Sequence, residues 1–143
     1  PYEQHAKTLV DEGVIGEVHV MRGHGKSDER AGAEDLMVLG THMMDSMRFF
    51  ADSDVAWAHG HVAQGGQEIT VDDIHDGAEG IGLLAGDAVA AYYVFGNGVT
   101  AHFESHRGDI SSVRSGRWFG FEVYGTKGII SLRNSPSLLL CSR

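Results

Sequence analysis

The sequence predicts an α+β domain: an open, largely antiparallel sheet with helices packed on one face. Three observations predict it. At 143 residues the chain fits one domain with a core of its own. Helical periodicity is concentrated in its first third, and from Gly86 onward β-forming segments follow one another across glycine-bearing turns. Early helices followed by successive antiparallel strands bury their apolar faces most simply as one sheet with a helical layer.

Taken in order, Tyr2 to Glu12 reads as a helix with Ala6, Leu9 and Val10 on one face and Gly13 placed to stop it. A strand follows over Glu17 to Arg22, where Val18 and Val20 alternate with polar neighbours. Gly23 to Glu34 carries no apolar residue larger than alanine and is expected to be a loop with nothing to bury, either a surface segment or part of a site. The strongest helix runs from about Asp35 to Ala51, with Leu36, Leu39, Met43, Met47 and Phe50 as its core stripe and Gly40 on the same side. Val55 to Ala63 resumes as a strand, and Gln64 to Asp76 is expected to be a hairpin connection or an exposed acidic strand pair. Ala88 to Phe95 and Val99 to Ser105 form a hairpin across Gly96-Asn97-Gly98. A polar loop, Arg107 to Arg117, leads to a last pair, Phe119 to Tyr124 and Ile129 to Arg133, turned by Gly125 to Gly128. No internal repeat is present.

Composition narrows the function. Twenty acidic against 11 basic residues give a net charge of −9, which opposes nucleic-acid binding because phosphate contacts need a clustered basic face. No apolar run approaches the roughly 18 residues of a membrane span, and the first twelve residues lack a secretory pattern. The single cysteine, Cys141, excludes an internal disulfide. These features lead to the expectation of a cytoplasmic protein. No strand is expected to run into a glycine-rich turn and then a helix, as a dinucleotide site requires, and Gly80-Ile81-Gly82 lacks that context.

Three stretches carry a family resemblance. They are the junction Glu12-Gly13-Val14-Ile15-Gly16-Glu17-Val18, the helix segment Gly40-Thr41-His42-Met43-Met44-Asp45, and the closing hairpin Glu122-Val123-Tyr124-Gly125-Thr126-Lys127-Gly128-Ile129-Ile130. In this order, and with the asparagine-glycine turn at Asn97-Gly98, they resemble the C-terminal domain of the Gfo/Idh/MocA oxidoreductases (glucose-fructose oxidoreductase, inositol dehydrogenase, rhizopine catabolism). The resemblance implies a two-domain parent whose N-terminal Rossmann domain, absent from residues 1–143, holds NAD or NADP and a catalytic lysine. It implies a substrate-binding and dimerising role for this chain, with a sugar, polyol or related hydroxy or carbonyl compound as substrate. One face of the sheet would form a homo-oligomer, at least a dimer. The chain then reads as an excised or truncated segment, inactive alone, that stops before the family's usual final strand. By resemblance, His42 takes the position of the histidine that helps move the substrate hydroxyl proton. Imidazole suits that task because it titrates near working pH. Inositol dehydrogenase-like members carry an aspartate one turn before that histidine; here Val38 stands there and can neither accept a proton nor orient a ring.

Other candidates come from position. Asp45 lies one turn after His42, where it can bind loop amides or touch ligand. Arg22 and His24, and later His106 and Arg107, stand where strands run out into loops, so substrate contacts are expected from them alongside the plainer reading of solvated charges. For His42 the plainer reading is a polar residue buried at a helix–sheet contact. His59 and His61 alternate on a strand and could begin a metal site with Asp72, Asp73, His75 and Asp76. Two rival functions therefore stand beside the oxidoreductase domain: a non-catalytic dimerising interaction module and a histidine-based metal-binding protein.

Overall fold

The computed structural model describes residues 2–26, 28–108, 120–133 and 137–142. Helix α1 (Tyr2–Asp11) leads through a glycine-bearing turn into β1 (Val18–His24). A continuous helical segment follows: α2 (Ala33–Asp35), a π-helical turn (Leu36–Gly40) and α3 (Thr41–Ala51). Strand β2 (Val55–Gln64) turns into the two-residue β3 (Gln67–Glu68), and an outlying arm carries β4 (His75–Asp76) and β5 (Leu83–Leu84). The remaining strands are β6 (Ala88–Phe95), β7 (Thr100–His106), β8 (Gly120–Gly125), β9 (Gly128–Arg133) and β10 (Ser137–Ser142). The main sheet has the order β10-β9-β8-β1-β7-β6-β2-β3, antiparallel throughout except where β1 runs parallel to β7. The predicted α+β class stands. Among the described residues no helix is long and apolar enough to cross a membrane.

The core lies between the helices and one face of the sheet. Met43, Met47 and Phe50 of α3 meet Met21 of β1, Phe103 of β7 and Phe121 and Val123 of β8, all buried. Each such side chain contributes about 1.5–3 kcal/mol by leaving water. Gly23 makes the contact close, since a Cβ there would lie 3.1 Å from Met47 Cε. The third predicted motif acts as a clamp on the first. Lys127 N–H donates to the Ile15 carbonyl at 2.8 Å, Thr126 N–H to the Glu17 carbonyl at 3.0 Å, and Glu17 N–H to Thr126 Oγ1 at 3.1 Å.

Three expectations need correction. Strand β1 runs to His24, and the segment after it is not an idle surface loop. Asp35, 3% exposed, accepts hydrogen bonds from Lys26 N–H at 2.6 Å and Ser105 Oγ at 2.7 Å, and Ser105 Oγ accepts from Gly32 N–H at 3.1 Å. The loop therefore buries polar groups that satisfy each other, which apolar periodicity cannot reveal. The long helix begins at Ala33 and contains a π turn. A strand not expected from the sequence follows β9: β10 pairs with β9 from Ser137↔Arg133 to Ser142↔Gly128. Its sequence, Ser137-Leu138-Leu139-Leu140-Cys141-Ser142, lacks the alternation that marks a strand with one wet face. Pro1, Arg143, Trp118, Phe119 and the predicted loop beyond Gly108 fall outside the described residues.

Candidate functional site on the outward side of helix α3

The core stripe fixes which way α3 looks. With Met43, Met47 and Phe50 turned to the sheet, Thr41, His42, Asp45, Arg48 and Phe49 are exposed on the side away from it. His42 is thus a surface imidazole on a rigidly seated helix, not a ring sealed at the helix–sheet contact. The π turn immediately before it widens the helix, a distortion often found beside functional residues. It also shifts the phase: one turn before His42 lie Met37 and Val38, both apolar, so no carboxylate backs the imidazole from that side. Asp45 stands one turn beyond His42 and borders a groove of about 410 Å³ between α1 and α3, together with Glu3, Gln4, Ser46, Arg48 and Phe49. Ser46 Oγ donates to Glu3 Oε1 at 2.8 Å across the floor of this groove. Thr41, which sequence reasoning passed over, is exposed beside His42 and returns its hydroxyl to the Val38 carbonyl at 2.9 Å.

The other predicted residues lie elsewhere. Gly23 faces α3, so its neighbours Arg22 and His24 point to the outer face of the sheet, away from both helices. There Arg22 pairs in register with His102 and Glu122, and His24 with Glu104. Arg22, His24, His102 and Glu104 line a shallow pocket of about 170 Å³. His24 Nδ1 is 2.9 Å from Glu104 Oε1, the Arg22 guanidinium lies 5.2 Å from the Tyr124 ring centre, and Tyr124 donates to Glu122 at 2.6 Å. His106 shares this outer face, on β7 beyond Glu104, while Arg107 turns away and donates to the Glu29 carbonyl at 3.0 Å. The structure thus divides the six predicted residues: His42 and Asp45 on the helix, Arg22, His24 and His106 on the opposite side of the sheet, and Arg107 bracing a loop. The outer cluster had a signal in the sequence, the polar alternation His102, Glu104, His106 along β7.

Contrary to the expectation that no strand runs through glycines into a helix, the segment after β1 leads through Gly25 and Gly32 into the long helix, but it does not fit a nucleotide. A Cβ on Gly25 would overlap the Asp35 carboxylate and Ser105, so the turn is filled rather than open. The Lys26 amide that a phosphate would need is bound to Asp35, itself an anion. Nearby, partial burial pushes the Asp28 carboxyl up, but hydrogen bonds from Arg30 and the charges of Arg30 and Lys26 outweigh this and hold it below the usual carboxylate range. Arg30 also reaches Glu79 at 3.2 Å, tying the loop to the outlying arm. His59 and His61 project from the exposed β2, and among the described residues no three histidine, cysteine or acidic side chains gather as metal ligands. Asp73 is engaged instead as a cap, accepting from Thr70 N–H at 2.7 Å.

The fold has many relatives among solved structures. An oxidoreductase from Agrobacterium radiobacter, solved in complex with NAD+, L-tartaric acid and magnesium, superposes with a TM-score of 0.66 at 17% identity, over 99% of this chain and 40% of that one. Apo scyllo-inositol dehydrogenase from Lactobacillus casei gives 0.63 at 16% identity, over 95% and 38%. The transcriptional regulator Gal80p from Kluyveromyces lactis gives 0.66 at 15% identity, over 98% and 39%. This chain therefore spans about two fifths of the length of the structures it resembles. No curated protein matches its sequence. The model of the GFO/IDH/MocA C-terminal domain matches residues 4–131, nearly the whole chain, and the chain belongs to that oxidoreductase family as its C-terminal domain.

Proposed function

We propose that this chain is the substrate-binding and self-associating part of an NAD(P)-dependent oxidoreductase acting on a sugar, polyol or related hydroxy or carbonyl compound. The nicotinamide cofactor is held by a separate Rossmann domain; the connection from β1 to the long helix of this chain is filled by Asp35 and Ser105 and leaves no room for a nucleotide. The chain by itself is then inactive.

The observation that carries this reading is the exposure of His42 on a helix whose opposite side is locked into the core. Oxidation of a secondary alcohol removes a hydride from carbon and a proton from oxygen; the cofactor, when bound, accepts the hydride. His42 takes the hydroxyl proton, or returns it when a carbonyl is reduced. Thr41 and Asp45 flank it and can hold substrate hydroxyls. Since Val38 supplies no carboxylate to steady the imidazole, His42 relies on the rigidity of α3 and on groups from the other domain. Arg22, His24 and His106 are assigned to the outer face of the sheet, which we take as a surface for self-association rather than as the substrate pocket. Tyr92, Trp57 and Tyr124 on that face are of the aromatic kind that protein interfaces favour.

The test is His42→Asn in the full-length protein. It should lower turnover with the preferred alcohol while cofactor affinity stays at the wild-type value. Unchanged turnover would remove His42 from the mechanism. The likeness to Gal80p, a transcriptional regulator, favours one second reading: a module of this fold that binds without catalysis. That reading predicts no oxidation or reduction of any sugar or polyol by the full-length protein.

A further inference from the structure

A different surface carries an inference that does not depend on His42. Strand β2 lies next to the end of the main sheet, and its free edge is covered by β3 only at Ala63↔Glu68 and Gln64↔Gln67. Among the described residues no strand pairs with the free edge from Val55 to Val62, and Val55 to His61 are all exposed. The sequence of this edge, Val55-Ala56-Trp57-Ala58-His59-Gly60-His61-Val62, contains no lysine, arginine, acid or proline. Those are the residues that ordinarily keep an open edge from pairing. In a chain of net charge −9, this uncharged strip sets no like charges of its own against each other when two copies meet.

We propose that β2 is a self-pairing edge, joining two copies of this chain into one continuous sheet by antiparallel β2–β2 pairing. The occupant is a second copy because an identical strand satisfies both open edges in one closed two-fold contact. Geometry then limits the register. A two-fold axis relating antiparallel neighbours runs perpendicular to the sheet and keeps outer residues outward, so opposed residues have numbers that sum to an even value. Strand β3 blocks pairing from Ala63 onward, and a register shift against β6 interrupts the strand between Val55 and Trp57. The axis therefore passes at His59 or Gly60, and only the His59 register covers Trp57, which is 52% exposed. In it Trp57 faces His61 of the other copy, His59 faces its own counterpart, and Ala58 faces Gly60. The last pair leaves the helix side of the junction lined by small residues.

The experiment uses sedimentation mass at several concentrations. Ala58→Glu with Gly60→Glu sets like charges against each other on the helix side of the junction, away from the outer face. Both positions are exposed, and a Cβ on Gly60 meets only the Ala90 carbonyl oxygen at 3.9 Å, so the fold accommodates the change. The acidic pair should halve the mass of the wild-type assembly. Mixing it with Ala58→Lys/Gly60→Lys should restore the mass through mixed assemblies, which a merely misfolded variant would not do. His59→Cys in a Cys141→Ser background should form a covalent dimer on mild oxidation. A wild-type mass of one chain, or an acidic variant that keeps the wild-type mass, overturns the proposal. Self-association through the outer face fails separately: a halved assembly that is a single chain rules out that face and leaves the edge pairing intact.

Discussion

The two surfaces of this domain are built differently from similar residues. On the helix side, His42 sits on a segment whose buried stripe, Met43, Met47 and Phe50, is packed against β1, β7 and β8. On the outer face, Arg22, His24, His102, Glu104 and Tyr124 form a polar sheet surface with no layer over it among the described residues. The helix surface holds one imidazole outward on a segment that is packed from behind. The outer surface spreads its charges along strands and pairs them with each other. How a histidine is presented is thus decided less by its own sequence neighbourhood than by what its element rests on.

The comparison can be broken most sharply by substitution on each side. Relative to wild type, His42→Asn in the full-length protein should lower kcat by about 10²–10⁴-fold, the usual range for losing a general acid–base group. His24→Ala should leave kcat near wild type. Equal losses would erase the distinction between the surfaces. Met47→Ala empties the support beneath α3 and should lower the unfolding free energy by about 2–5 kcal/mol, read by urea denaturation. Breaking the His24–Glu104 pair on the outer face should cost about 0–1 kcal/mol, because that pair is solvent-accessible. Between these lies Asp35→Ala, which strands the Lys26 amide and the Ser105 hydroxyl; a loss of about 1–3 kcal/mol is expected, with faster amide exchange at Lys26.

The smallest effect is one of pH. Asp28 has its carboxyl held below the usual range, with burial opposing and Arg30 prevailing. The folded state therefore favours the carboxylate, and the stability this gives is complete at neutral pH. It is lost as the pH falls past the ordinary carboxylate value toward the lowered one. Asp28→Asn should flatten the acid limb of the stability curve slightly and leave the neutral plateau slightly lower. An unchanged acid limb would show that the Arg30 contact is idle.

The sequence made the helical stripe and the β6–β7 hairpin legible because a single periodicity or a turn signal governs each. Met43, Met47 and Phe50 mark a helix facing a core, and Asn97-Gly98 marks a tight turn, whatever lies around them. His42 was legible as a candidate through its motif, and its outward direction follows from the same stripe. The rest depended on distant partners. Asp35 and Ser105 are 70 positions apart, and nothing local in either announces their bond. Arg22 and His24 are substrate candidates because they end a strand. Only the contact of Gly23 with Met47 shows which side of the sheet they occupy. Strand β10 stayed hidden because its leucines do not alternate with polar residues, and its pairing with β9 is what makes it a strand.

The central claim is that the His42 imidazole moves a proton for a reaction completed by another domain. The most direct measurement is the pH dependence of kcat for the full-length protein and its His42→Asn variant, with the same alcohol at saturating cofactor. The account predicts that the wild type shows an ionisation controlling turnover and that the variant loses it, its residual rate following hydroxide instead. A variant whose profile keeps the wild-type shape, merely displaced downward, would contradict the account and leave His42 a bystander on the surface of the helix.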